Sequence, residues 1–300
     1  MRVSGRRQSR VGAVSAATAG VTVVAVVALL VGCAAGQATP GEGASSPVLS
    51  SRGIQPLPTG AKVDYQLGGG YSAPSGVSVV TRDSTDQPAA GLYNICYVNG
   101  FQTQGEDRAF WLDEHPTLIL RSPRGTAPGT PITDPGWPDE MILDTSTPAK
   151  RASIATTLST TLRACANKGF DAVEFDNLDS YTRSHGRLGL RDNVAEARLL
   201  VSAAHRLGLA AGQKNTPQLG RTGPVVIHFD FAVAEECYRY DECAGYTKFY
   251  GAKVIDIEYT GALRGSFAAT CAAKQTPPMT ILRDRDLLTP DSSKYVYGSC

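Results

Sequence analysis

The chain has 300 residues, 42% of them hydrophobic, and its 29 basic and 28 acidic residues leave a formal net charge of +1. That balance argues against a nucleic-acid partner, because neutralising phosphates requires clustered Lys and Arg, and no such cluster occurs beyond the first residues. The length exceeds that of a small module and suits one large α/β domain.

Arg2, Arg6, Arg7 and Arg10 precede an apolar run from Val11 to Val31, which leads into Leu30-Val-Gly-Cys33. This is the pattern of a secretion signal. Leu-x-Gly-Cys resembles the site at which a bacterial lipoprotein is cleaved and lipidated. It predicts a signal peptide over residues 1–32, a lipid on Cys33, and a protein held on the extracytoplasmic face of the membrane. An uncleaved apolar anchor of about 20 residues is the alternative and leaves the protein on the same side. Residues 33–60 are dominated by Gly, Ser, Ala, Pro and Thr and read as a flexible tether. Residues 61–300 remain as the folded domain, for which a monomer is expected.

Eight short apolar runs within that domain read as strands: Val63 to Leu67, Leu92 to Val98, Met141 to Leu143, Ala172 to Phe175, Leu209 to Gln213, Phe229 to Ala234, Lys253 to Ile257, and Met279 to Leu282. Helical periodicity fills Ala149 to Asn167, with Gly169 as its stop, and Asp192 to Leu207, with Gly208 as its stop. Alternating strands and helices imply a parallel sheet, and eight such units close into a (β/α)8 TIM-type barrel. Each run ends in a polar or ionisable residue: Gln66, Tyr97, Asp144, Asp176, Lys214, Glu235 with Glu236, Glu258, and Arg283. A doubly wound sheet would instead gather its site at one switch point, and Gly68-Gly69-Gly70 lacks the dinucleotide fingerprint.

Setting Cys33 aside leaves Cys96, Cys165, Cys237, Cys243, Cys271 and Cys300, an even set that outside the cytoplasm reads as disulfides. Cys237 and Cys243 are close enough to staple one loop. Many pairings stay open for the others, and the preferred ones are Cys96 with Cys165 and Cys271 with Cys300. The spacings match no zinc pattern, so neither a metal nor a cofactor is expected.

Two segments carry the chemistry. In Gly169-Phe-Asp-Ala-Val-Glu-Phe-Asp-Asn177, alternation puts Glu174 and Asp176 on one face, climbing toward the strand's carboxyl end. Phe229-Asp-Phe-Ala-Val-Ala-Glu-Glu-Cys237 repeats the design, although strand parity leaves either Glu235 or Glu236 facing the site. Two carboxylates across a barrel mouth suit glycosidic cleavage, in which one protonates the leaving oxygen and the other attacks or stabilises the sugar cation. Nearby tyrosines, among them Tyr65, Tyr97 and Tyr259, suit the C–H faces of sugars. His115, His185, His205 and His228 assemble no competing triad or metal site.

The chain here resembles glycoside hydrolase family 114, the endo-α-1,4-polygalactosaminidase family. The pieces are Asp64-Tyr-Gln-Leu67, Cys96-Tyr-Val98, the Gly169 to Asn177 segment, Gln213-Lys-Asn215, Ala234-Glu-Glu-Cys237 with Cys243, and Ile257-Glu-Tyr259. The resemblance implies internal cleavage of α-1,4-linked galactosamine polymers, with Asp176 as nucleophile and Glu235 as acid/base. It implies substrate contacts from Tyr65, Gln66, Tyr97, Glu174, Asn177, Lys214, Asn215, Glu236, Glu258 and Tyr259. A carbohydrate-binding lipoprotein of the same fold, without catalysis, is the alternative. Nine acids on or after strand ends (Glu174, Asp176, Asp179, Glu235, Glu236, Asp241, Glu242, Asp256 and Glu258) predict a cleft that attracts a cationic polymer.

Overall fold

The computed structural model of the protein describes residues 53–123 and 129–300. The signal, the lipid site Cys33 and most of the tether lie outside the described residues. Among those described, no helix is long and apolar enough to cross a membrane.

Strands β1 (Lys62–Gln66), β2 (Val77–Asp83), β3 (Tyr93–Asn99), β4 (Ala172–Asp176), β5 (Ala210–Lys214), β6 (Phe231–Glu235), β7 (Val254–Tyr259) and β8 (Met279–Arg283) pair in chain order, each parallel to the next. A ninth strand, β9 (Tyr297–Ser299), lies antiparallel to β8. Parallel strands in unbroken chain order make a nearly closed TIM-type barrel. Alternate residues fill its interior, among them Val63, Val79, Ile95, Phe231, Ile255 and Ile281. Gly212 keeps that layer packable: a Cβ there would stand 2.5 Å from the Phe231 ring, so only glycine leaves the phenylalanine its space.

The opposite strand faces pack against helices α2 (Pro148–Lys168) and α3 (Leu190–Arg206). Helix α2 starts where the Thr147 side chain accepts from the Lys150 amide, with proline in the first turn. It stops at Gly169, whose φ of 97° is the left-handed geometry that glycine adopts without cost. Helix α3 turns Ala197, Leu200, Val201 and Ala204 inward, the stripe expected from their spacing. Helices α1 (Arg108–Glu114), α4 (Cys243–Tyr250) and α5 (Phe267–Ala272) are short.

The strand count survives with one exchange. Met141 to Leu143, expected as the third barrel strand, instead makes isolated antiparallel bridges with Gln102, Ile119 and Thr133 in an excursion between β3 and α2. The missing barrel strand is β2, whose Arg82 is buried because it donates to Gln66 Oε1 at 2.9 Å and to the carbonyls of Tyr71 and Gln87. Among the described residues, no helix intervenes between β1 and β2 or between β2 and β3, so the helical layer is thinner than eight full units.

Three disulfides join Cys96 to Cys165, Cys237 to Cys243, and Cys271 to Cys300. They tie β3 to α2, the loop after β6 to the start of α4, and α5 to the end of the chain. Linking distant points removes freedom from the unfolded chain, most for the pair 69 residues apart.

Arg283 bridges the seam between β8 and β1. Fully buried, it lies 3.2 Å from Asp64 Oδ1 and donates to the carbonyls of Tyr65, Val296 and Leu288. Removing one partner of a buried ion pair strands the other. Arg283→Met is therefore expected to lower the unfolding free energy by about 3–5 kcal/mol in urea titrations, with part of the loss recovered by adding Asp64→Asn.

Candidate active site

Strands β4, β5 and β6 end in Asp176, Lys214 and Glu235, and the chain turns away immediately after each one. The next residue in every case has a positive φ: 64° at Asn177, 50° at Asn215 and 58° at Glu236. Asparagine tolerates this left-handed region, whereas glutamate does so at a cost. Two arginines hold Glu236 in place, Arg239 at 2.7 Å and Arg285 at 2.9 Å. The result is three charged side chains at the rim of the barrel, all from its inner face.

Lys214 is the hub. Its ammonium nitrogen lies 3.1 Å from Asp176 Oδ2, 3.3 Å from Glu174 Oε1, 3.5 Å from Glu235 Oε2 and 3.2 Å from the Tyr65 hydroxyl. The rings of Tyr65 and Tyr97 flank it, with centroids 5.5 and 5.7 Å away. Each carboxyl also accepts from a phenol: Glu174 from Tyr65 at 2.6 Å, Asp176 from Tyr97 at 2.8 Å, and Glu235 from Tyr259. Asn215 brackets Glu235, donating from Nδ2 to its carboxylate at 3.0 Å and accepting its backbone N–H at 2.9 Å. The Asn177 amide donates to Asp176 Oδ1 at 2.6 Å.

Exposure separates these acids. The side chains of Asp176 and Glu235 are 16% and 29% exposed, whereas that of Glu174, one step deeper on β4, is 0% exposed. A molecule in the mouth can thus touch the first two but not the third.

The electrostatics follow from one cation among three acids. Burial alone would strip the proton from Lys214, but Asp176, Glu235 and the other acidic groups around it hold its pKa well above that of an ordinary lysine. Burial pushes Glu235 up, and Lys214, Tyr259, Asn215 and Arg285 together bring it below the usual carboxylate value. Glu174 goes the other way, because burial outweighs the pull of Lys214 and Asp176 adds repulsion, which raises its pKa to about 7. Burial and the adjacent acids raise Tyr65, Tyr97 and Tyr259, so each stays a hydrogen-bond donor.

Of the residues marked in the sequence, Tyr65, Tyr97, Glu174, Asp176, Lys214, Asn215, Glu235 and Tyr259 converge on this network. Gln66, Asn177, Glu236 and Glu258 have other partners. Gln66 binds Arg82 and Asp64 on the outer side of β1 and β2. The Asn177 side chain meets Asn99 and Arg183. Glu258 accepts the backbone N–H groups of Tyr238 and Arg239 from the outer face of β7. The parity left open between Glu235 and Glu236 resolves because Phe231 and Val233 fill the barrel and Glu235 continues their face.

Two contributors were missed. Arg285 stacks 4.2 Å from the centroid of the Tyr259 ring, and only its position two residues after β8 could have pointed to it. Glu140, held by Asn99 and Gln102 at 3.0 Å each, comes from the misread excursion and lies near Asp176.

Solved structures share this fold. The crystal structure of Aspergillus fumigatus Ega3 in complex with galactosamine superposes with a TM-score of 0.64 at 20% identity, covering 83% of this chain and 98% of that one. The glycoside hydrolase domain of PelA from Pseudomonas aeruginosa superposes with a TM-score of 0.51 at 14% identity, covering 79% of this chain and 98% of that one. No curated protein matches the sequence. The profile of glycoside-hydrolase family GH114 matches residues 44–300. Because that match takes in the whole described barrel, the chain belongs to glycoside-hydrolase family GH114 and is a glycoside hydrolase.

Proposed function

We propose that this glycoside hydrolase cleaves α-1,4-linked galactosamine-containing polysaccharide internally, with Asp176 as nucleophile and Glu235 as acid/base, on the extracytoplasmic face of a membrane. The observation that carries the reading is the sharing of one ammonium by the two exposed carboxylates. Oxygens that both contact Lys214 Nζ favour the spacing of about 5 Å of a retaining pair over the about 6.5–9.5 Å of inverting pairs.

In the first step, an Asp176 oxygen attacks the anomeric carbon while the glycosidic C–O bond breaks and Glu235 gives its proton to the departing oxygen. In the second, Glu235 takes a proton from water, whose oxygen displaces Asp176 and releases the sugar. The bonds from Lys214, Tyr97 and the Asn177 amide aim the Asp176 carboxyl before the sugar arrives.

Support for a galactosamine substrate comes from Ega3, a relative in fold that was crystallised with galactosamine. The charge argument draws its support from only some of the acids that the sequence marked, together with others. Asp179 pairs with Arg183, Glu236 pairs with Arg239 and Arg285, and Asp256 and Glu258 are buried outside the barrel. Asp176 and Glu235 remain open, and Asp83, Asp86, Glu106 and Asp107 line a cavity of about 380 Å³ in the loops after β1, β2 and β3. These acids suit a polymer whose amines are free. The signal with Cys33 supports the location, and three disulfides fit an oxidising compartment.

Asp176→Asn is expected to abolish detectable cleavage of partly deacetylated α-1,4-galactosamine oligomers, read by mass spectrometry, while thermal unfolding stays within a few degrees of the parent. Glu235→Gln is expected to lower kcat by about 10²–10⁴-fold. Deacetylated oligomers should be cleaved with a kcat/KM on the order of 10-fold above that of fully acetylated ones, a margin that shrinks as salt screens the cleft. Equal turnover of the two polymers would sink the charge argument.

A further inference from the structure

Glu174 is the one acid of the cluster with no task in the two-step scheme. It is fully buried on β4, directly below Asp176, and its Oε1 accepts from Tyr65 at 2.6 Å and lies 3.3 Å from Lys214 Nζ. Its Oε2 is buried without a hydrogen-bond partner. A fully ionised cluster would hold three negative charges around one ammonium, with that of Glu174 wholly out of reach of water, an arrangement that a proton on Glu174 relieves at much lower cost than burial of the excess charge. Asp176 must stay ionised to attack. Glu235 is the best-supported anion, with bonds from Tyr259 and Asn215, and it sits beside Arg285 and Lys214. Glu174 is left as the resting place of the proton. Yet the proposed first step needs that proton on Glu235.

We propose that Glu174 stores the proton that Glu235 delivers, exchanging it through the ammonium of Lys214. This rests on the assignment of Asp176 and Glu235 above. Lys214 gives one proton to Glu235 Oε2, 3.5 Å away, and takes one from Glu174 Oε1, 3.3 Å away. The ammonium keeps its charge, Glu174 becomes a carboxylate and Glu235 becomes an acid. A sugar in the mouth supplies the bias, because covering Glu235 removes the water that solvates its charge and raises its affinity for a proton. Glu174 touches no substrate and acts only through Lys214. The groups facing it are Tyr65 from β1, Asp176 from its own strand, and Lys214 from β5, with Tyr97 on β3 and Glu235 on β6 across the ammonium.

The test compares two substrates in Glu174→Gln: an unmodified galactosamine oligomer, whose departing oxygen must be protonated, and the same oligomer bearing a dinitrophenyl leaving group, which departs without a proton. Loss of about 10²-fold in kcat on the unmodified oligomer, with turnover of the activated one within a few-fold of wild type, is the expected result. The wild type should lose activity on the unmodified oligomer as pH rises through about 7, where Glu174 gives up its proton. Glu174→Gln should lack that descent, and Glu174→Asp, which keeps an acid, should restore it. Equal loss on both substrates, or an unchanged alkaline limb in Glu174→Gln, overturns the store and reduces Glu174 to a prop for Lys214. A wild-type enzyme that cleaves neither substrate would instead overturn the assigned function, and the proton store with it.

Discussion

A single buried ammonium sets the terms for the upper half of this barrel. Lys214 has essentially no contact with water and takes its charge balance from the acids around it, so Glu174, Asp176 and Glu235 all come within reach of one nitrogen, beside the Tyr65 hydroxyl and the Tyr65 and Tyr97 rings. That requirement explains several local choices. Strand β6 continues two residues beyond Val233, the partner of Lys214, before it ends at Glu235, and β4, β5 and β6 are each followed by a left-handed residue that turns the chain away. The layer beneath is closed by Phe231, which Gly212 admits, so the ammonium rests on an apolar floor. In such a setting charges interact far more strongly than in water, and an unmatched one is correspondingly costly.

Outside the barrel wall a second set of ionic contacts holds the loops that carry the first. Glu236 between Arg239 and Arg285, and Glu258 under the Tyr238 and Arg239 amides, fix the chain just after Glu235. The Cys237–Cys243 bond closes the same loop onto α4. Asp256 accepts the Cys237 amide at 3.1 Å, so that corner is braced from three directions. Arg283 does comparable work at the seam, where it holds the Tyr65 backbone and through it the phenol that meets Glu174. Acids that look from the sequence like substrate ligands are thus divided by strand parity, with one face forming the site and the other bracing it.

The legible parts of the site were those written as an apolar strand ending in charge. The Gly169 to Asn177 and Phe229 to Cys237 segments declare both their strand character and their chemistry, and the regular alternation of β4 gave the shared face of Glu174 and Asp176. Illegible was whatever depends on a distant partner. Strand β2 was overlooked because Thr81, Arg82 and Asp83 look like loop residues until Gln66 is known to receive Arg82. Met141 to Leu143 has the composition of a strand but pairs locally. Glu258 was named because an acid on a strand draws notice, but it is Tyr259, named with it, that faces inward, and Arg285, which was not named, that covers the ring. The central place of Lys214 could not be read at all, since it follows from three contacts made across neighbouring strands.

The central claim is that Lys214 is a permanent cation shared by the acids of the mouth. It can be tested directly by recording the ¹⁵N resonance of the Lys214 side chain in selectively labelled protein across a titration. The account predicts an ammonium signal throughout the range from about pH 5 to about pH 9, shifting near pH 7 as Glu174 loses its proton but never becoming a neutral amine. A neutral amine anywhere in that range would contradict the account, because the three carboxyls would then have no charge to hold them together.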